Sequence, residues 1–89
     1  MKAVITVTGK DSVGIIAAVA AECADCQVNI LDISQSVLQE YFAMIMLVDL
    51  ADCTLPFDEL IRFLKEKGEE RTLDIHIQRQ DIFEAMHRI

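Results

Sequence analysis

The chain has 89 residues, a formal net charge of −7 and 53% hydrophobic residues. This length fits one domain that can bury a core without cross-links. The excess of 15 acidic over 8 basic residues argues against a protein that binds nucleic acid or anionic membranes. The mean hydropathy of +0.33 is high for so small a domain, so either the core is unusually complete or some apolar surface meets a partner chain.

The chain shows no targeting segment. Polar residues interrupt the N-terminal run before it becomes the apolar region of a signal peptide. The longest apolar stretch, residues 41–48, is far shorter than the ~20 residues that a membrane-spanning helix needs. The three cysteines are an odd number and lack the spacing of a disulfide framework, so we expect them to be reduced thiols. We therefore expect a cytoplasmic protein with no membrane partner.

The first predicted elements are a strand over residues 2–8 and a helix that ends near residue 26. The strand alternates apolar and polar side chains, which is typical of one buried face. The helix follows a short break at residues 9–12, and Asp11 or Ser12 is its predicted N-cap.

Two further strands are predicted over residues 28–38 and 41–50. The second strand carries Leu31, Ile33 and Val37 on one face. Asn29 and Gln35 share that parity, so a bulge or a strand end is expected to interrupt the alternation. The third strand is apolar on both faces, as in a central strand whose outer face is also covered.

The second half of the chain continues with a helix, a strand and a short final helix. The helix is predicted to begin at Pro56 and to end near Gly68. The fourth strand spans residues 72–80 and alternates cleanly. The tail over residues 81–89 has helical apolar spacing, but it is too short to be stable alone, so it must dock on its own sheet or on a neighbour's.

The predicted order is β-α-β-β-α-β, the ferredoxin-like sandwich of the α+β class. The first and third strands are then central in an antiparallel four-stranded sheet, with both helices on one face. The open face still receives apolar side chains from the third strand, so we expect a homodimer that pairs there or edge to edge. We expect a single domain, with a core over residues 1–80 and a helical tail over residues 81–89.

Cys23 and Cys26 have the C-x-x-C spacing that occurs in redox and metal sites. A redox pair needs its first cysteine at a helix N-terminus, whereas this pair lies at a helix end. Cys53, His76 and His87 are not spaced as further zinc ligands. We therefore expect small core positions and no metal site.

The histidines do not indicate catalysis. His76 lies at an outward strand position without a nucleophile or a second base, and His87 lies at the end of the terminal helix. The first strand also lacks the aromatic side chains on which RNA-recognition versions of this fold stack bases. We expect no catalytic residue, no cofactor and no nucleic-acid partner, and hence no enzyme.

The loop Gly-Lys-Asp-Ser-Val-Gly-Ile at residues 9–15 is the most informative cluster. A glycine-flanked loop at a helix N-terminus presents free backbone N–H groups that suit a carboxylate. Asp11 adds a charge that could pair with an ammonium, so together they suit a zwitterion such as a free amino acid. In the alternative interpretation, Asp11 only caps the helix and Gly14 only lets helix and strand approach. Spacing alone favours this alternative.

Residues 7–16, Val-Thr-Gly-Lys-Asp-Ser-Val-Gly-Ile-Ile, with residues 28–35, Val-Asn-Ile-Leu-Asp-Ile-Ser-Gln, resemble the ACT domain, a small regulatory module of amino-acid-metabolising enzymes. The chain is most similar to the short, stand-alone ACT-domain proteins of bacteria and archaea. ACT domains are ferredoxin-like, they pair, and their effectors, usually amino acids, often bind between domains. The resemblance implies ligand-binding residues in the first β–α loop and at the start of the second strand: Gly9, Asp11, Val13, Gly14, Ile15, Asn29 and Ile30.

The resemblance implies a non-catalytic sensor that binds an amino acid or a similar small metabolite at a dimer interface. No catalytic or DNA-binding domain is attached, so we expect the module to act in trans on another protein. The alternative is a ligand-free protein–protein interaction module that uses the open sheet face and the C-terminal helix.

Overall fold

The computed structural model describes residues 1–86, and its seven elements confirm the predicted βαββαβ order with a final helix. The elements are β1 (Lys2–Lys10), α1 (Ile15–Asp25), β2 (Asn29–Leu38), β3 (Tyr41–Asp49), α2 (Phe57–Glu70), β4 (Leu73–Arg79) and α3 (Gln80–Met86). The end of the predicted tail, including His87, lies outside the described residues.

The four strands form one antiparallel sheet in the order β2-β3-β1-β4, so β1 and β3 are central, as predicted. Both β1 and β2 run antiparallel to β3 and therefore point in the same direction. Lys10 at the end of β1 and Leu38 at the end of β2 both pair with Tyr41. The loop after β1 and the β2–β3 hairpin consequently lie at the same end of the sheet.

The core lies between the sheet and the layer formed by α1 and α2. Ile5 of β1 pairs with Met46 of β3, and both side chains are fully buried. Val19 of α1 and Leu60 and Leu64 of α2 are buried against them. Each such side chain stabilises the fold by about 1.5–3 kcal/mol through removal of apolar surface from water. The predicted inward residues of β4 are also buried: Leu73, Ile75 and Ile77.

Leu31, Ile33 and Val37, which the sequence places on one face of the second strand, do not form a buried face. Their side chains are 43%, 40% and 51% exposed. The physical reason is that β2 is an edge strand, and the helical layer does not cover the outer part of its face. A register shift between Ile30 and Asp32 also removes Leu31 from the alternation.

Helix α2 is longer than predicted because Gly68 lies inside it rather than at its end. The helix continues to Glu70, and Pro56 is its N-cap rather than its first helical residue. A Cβ atom at Gly68 would lie 2.8 Å from both the Leu73 carbonyl oxygen and Ile75 Cγ1. Glycine is therefore required here for the close approach of α2 to β4, not as a helix terminator.

The tail helix α3 docks on its own sheet, one of the two predicted arrangements, and contacts β1 and β4. Gln78 points to the sheet face away from α1 and α2, and its Nε2 donates to Met86 Sδ at 3.4 Å. Val4, which pairs with Gln78, is buried on this same face. Farther along the face, Tyr41 and Ile45 stay exposed. No helix within residues 1–86 is long and apolar enough to cross a membrane.

Candidate functional site

Helix α1 begins without a side-chain cap. The prediction that Asp11 or Ser12 is the N-cap is wrong, because Gly14 occupies that position with φ 88° and ψ 8°. This left-handed conformation costs little for glycine. The Gly14 carbonyl accepts the Ala18 N–H at 2.9 Å. The first N–H groups of α1 have no partner within the helix, and no side chain caps them.

A groove of about 200 Å³ lies beside this helix end. The buried Phe42 of β3 contributes to its lining, and so do residues of β2. Its lining comes from the first β–α loop, the first turn of α1, β2 and β3: Asp11, Ser12, Gly14, Ile15, Ile16, Ala17, Gln35, Val37 and Phe42.

The backbone joins the two sides of the groove. The Asp11 N–H donates to the Glu40 carbonyl at 2.7 Å, which fastens the loop to the β2–β3 hairpin turn. Gln39 in that turn has φ 56°, as a two-residue hairpin with the right-handed sheet twist requires. The parallel directions of β1 and β2 thus bring the end of β2 to the start of α1.

The groove combines three kinds of chemistry. The uncapped N–H groups and the helix dipole of α1 favour a carboxylate or another small anion. The exposed carboxylate of Asp11 can pair with an ammonium, and the Gln35 amide can both donate and accept hydrogen bonds. Ile16 and Val37 add apolar surface. This combination suits a small zwitterion.

Three of the predicted site residues, Asp11, Gly14 and Ile15, line this groove. Gly9 lies within β1 against β4, where a Cβ atom would be 2.8 Å from Leu73 Cδ2. Val13 is fully exposed to solvent and does not line the groove.

Asn29 and Ile30, the other two predicted site residues, lie at the opposite end of the sheet. Asn29 pairs with Asp49, whereas the loop after β1 lies at the Tyr41 end of β3. The eight intervening steps of the strand correspond to about 27 Å. One chain therefore does not bring these two residues to the groove.

The sequence interpretation missed Gln35, Val37 and Phe42. The signal was available in the predicted strand order, because β1 and β2 on either side of an antiparallel β3 must run in the same direction. That direction places the end of β2, and not its start, beside the loop that follows β1.

Cys23 and Cys26 lie in the core, where the sequence interpretation put them. Burial raises the pKa of the Cys23 thiol to about 11. Burial also raises the pKa of Cys26. Both groups are therefore neutral thiols at physiological pH. No set of three His, Cys, Asp or Glu side chains within residues 1–86 is placed to hold a metal ion.

Two other polar features lie away from the groove. His76 Nε2 is 3.0 Å from Asp74 Oδ1 on exposed β4 positions. A wider depression of about 330 Å³ lies at the far end of the sheet between Lys2 and Asp81. There the Arg79 guanidinium already pairs with Asp81 Oδ2 at 3.0 Å.

The family model for the ACT domain matches residues 2–78. A UPF0237 protein of Listeria innocua is 48% identical over 89 residues, covering 100% of both chains. A UPF0237 protein of the archaeon Methanopyrus kandleri is 43% identical over 88 residues, covering 99% of this chain and 98% of its own. The solved structure of an ACT domain protein from Streptococcus pneumoniae has a TM-score of 0.83 at 45% identity, covering 98% of both chains. The predicted likeness to short bacterial and archaeal ACT proteins is thus confirmed, and the chain belongs to the ACT domain family.

Proposed function

We propose that this chain is a non-catalytic ACT sensor that binds an amino acid or a similar zwitterionic metabolite in the groove beside α1. The observation that supports this proposal is that Asp11 and the uncapped start of α1 line the same groove. The ligand carboxylate accepts hydrogen bonds from those N–H groups, and the ligand ammonium lies against Asp11.

The size and lining of the groove restrict the ligand. A volume of about 200 Å³ lies below the 300–1,000 Å³ of pockets for drug-sized molecules, so the ligand is small. Its side chain lies against Ile16 and Val37, which favours an apolar or short polar group. The Gln35 amide is available to a polar substituent.

The module would regulate another protein in trans if the ligand binds one state of the module more tightly than another. A ligand shifts such an equilibrium only as far as its affinities for the two states differ. The states proposed here are two modes of pairing between copies, or of docking on another cytoplasmic protein. A homodimer is supported by the large apolar side chains that one copy leaves exposed, among them Leu38, Tyr41 and Ile45.

The test is a thermal-shift screen of the full chain against the twenty standard amino acids. A ligand at 100 times its Kd stabilises the folded state by about 2.7 kcal/mol, which raises the Tm of a small domain by about 10 °C or more. We expect a selective shift that Asp11→Ala abolishes. The matched control Asp52→Ala removes an exposed loop carboxylate outside the groove and should keep the shift.

The second candidate is a ligand-free interaction module, which the exposed Tyr41 and Ile45 on the sheet face away from α1 and α2 support. A flat amino-acid screen, together with loss of self-association after deletion of residues 81–89, would favour this candidate. A shift that persists in Asp11→Ala would refute the role of that carboxylate.

A further inference from the structure

The three cysteines of the chain lie near the C-terminal end of α1, away from the groove at its start. Cys23 and Cys26 belong to the buried core, and the half-buried Cys53 packs against that core from the loop between β3 and α2. All three are free thiols, and none of them lines the groove. Their chemistry is therefore independent of the proposed ligand.

Hydrogen bonds hold Cys53 beside Cys26. The residue that follows Cys53, Thr54, donates its backbone N–H to the Cys26 carbonyl at 3.0 Å, and its Oγ1 donates to the same oxygen at 3.4 Å. The standard bond lengths then place the Cα atoms of Cys26 and Cys53 within about 8 Å of each other. A disulfide spans about 4.4–6.8 Å between Cα atoms. Because Cys53 lies in an irregular loop, a backbone shift of about an ångström is open to it.

The three thiols also affect one another's ionisation. Burial, followed by the neighbouring Cys53, raises the pKa of Cys26. Burial chiefly raises the pKa of Cys23 to about 11, with smaller contributions from Glu22 and from the other two thiols. Cys23 and Cys26 are only 1% and 5% exposed, so a dissolved oxidant does not reach them in the folded protein. Cys53 is the thiol that such an oxidant meets first.

The surroundings of the thiols favour an oxidant that is small and uncharged. Asp52 precedes Cys53, Asp25 precedes Cys26, and the whole chain has a net charge of −7. These carboxylates repel anionic oxidants such as glutathione disulfide, which is also too bulky to approach a half-buried sulfur easily. Hydrogen peroxide is neutral and small, so it meets neither obstacle.

We propose that Cys53 and Cys26 form a reversible disulfide when hydrogen peroxide oxidises the protein. The Cys53 thiolate attacks one peroxide oxygen, so an S–O bond forms, the O–O bond breaks and hydroxide leaves. The Cys26 sulfur then attacks the resulting sulfenic acid, the S–S bond forms, and the oxygen leaves as water with the Cys26 proton. Two electrons pass from the thiols to the peroxide, which becomes two molecules of water once the hydroxide takes up the Cys53 proton.

This disulfide fastens the end of α1 to the segment that leads into α2. In the reduced protein, the two Thr54 hydrogen bonds join these segments. The disulfide adds a covalent ring over residues 26–53, which restricts the unfolded chain. The oxidised protein should therefore have a Tm higher by about 8 °C or more, and dithiothreitol should restore the lower value.

Peptide mapping by mass spectrometry tests which thiols pair. The reduced full chain is treated with hydrogen peroxide at neutral pH, and the remaining thiols are then blocked with N-ethylmaleimide in denaturant. A protease that cleaves after acidic residues puts each cysteine on its own peptide: residues 23–25, 26–32 and 53–58. We expect the second and third peptides to be linked and Cys23 to be alkylated. A link between Cys23 and Cys26, a link between Cys53 residues of two copies, or three alkylated thiols would overturn the proposal.

Cys53→Ser tests whether the oxidant enters at Cys53. Serine nearly preserves the size of the side chain, and we expect both remaining thiols to stay reduced and the Tm to be the same with and without peroxide. Cys23→Ala is the matched control, because it keeps the proposed pair and should still form the link. Oxidation of Cys26 in Cys53→Ser at the wild-type rate would refute attack at Cys53. A wild-type Tm that does not rise on oxidation would refute the stabilising link.

Discussion

Gly68 offers a test of how closely α2 approaches β4. On helix propensity alone, Gly68→Ala should stabilise the protein by about 1 kcal/mol. The added Cβ, however, would lie 2.8 Å from a backbone oxygen of Leu73 and from Ile75 Cγ1, neither of which is the end of a flexible side chain. Overpacking typically costs about 1–3 kcal/mol, and because these neighbours are rigid, we expect the cost of Gly68→Ala to lie in the upper part of that range. The net expectation is a loss of about 1–2 kcal/mol.

Urea denaturation followed by far-ultraviolet circular dichroism measures this difference. We expect a lower midpoint at an unchanged slope, and a Tm lower by about 4 °C or more. Glu69→Ala, at the exposed neighbouring position, is the matched control and should stay within about 0.5 kcal/mol of the wild type. If Gly68→Ala equals or exceeds the wild type in stability, the close contact does not govern this position and the reasoning fails.

Three further predictions concern stability and pH. Gly14→Ala should cost about 1–2 kcal/mol in thermal unfolding because its φ is 88°, and Gly14→Asn should cost less; equal losses would show that φ does not decide the effect. Burial raises the pKa of the Cys23 thiol from 9.0 to about 11, so the unfolded state releases this proton at a lower pH than the folded state. The free energy of unfolding should therefore fall between about pH 9 and about pH 11, and Cys23→Ala should flatten that slope. Met46→Ala should cost about 2–5 kcal/mol in urea denaturation, and a loss below 1 kcal/mol would mean that the core collapses around the missing side chain.

The side chains that face the core were predictable where only one face of a strand is apolar. Where both faces are apolar, the sequence does not decide which of them is inward. Clean alternation in β4 identified Leu73, Ile75 and Ile77 as inward residues, and the structure buries all three. In β3 both faces are apolar, and only the assembled sheet shows that Met44 and Met46 lie under the helices while Ile45 faces outward. In β2 the apolar residues do not mark a buried face, because a strand's place at the edge of a sheet depends on tertiary contacts.

The groove beside α1 includes part of the loop that the sequence singled out, but not all of its lining was predictable. The glycine-flanked loop correctly indicated a helix start with free N–H groups, but local spacing could not distinguish Asp11 from Gly14 as the N-cap. The N-cap is the residue just before the first helical residue. Because Gly14 has a left-handed conformation, the first helical residue is Ile15, and Gly14 is the N-cap. The contribution of Gln35 and Val37 depends on strand direction, a property of the whole sheet.

The N-cap at Gly14 leaves the first turn of α1 without a capping side chain, so the proposed ligand would stabilise that turn directly. A capping side chain contributes about 0.5–2 kcal/mol to a helix, and it does so permanently. In the sensor proposed above, a ligand acceptor that binds and departs would take that role, so helix capping and ligand affinity would depend on the same hydrogen bonds. By linkage, an occupant that bonds to the N–H groups of residues 15–17 must slow their hydrogen exchange in step with its own binding. Hydrogen exchange at the start of α1 would therefore report whether the proposed ligand is bound.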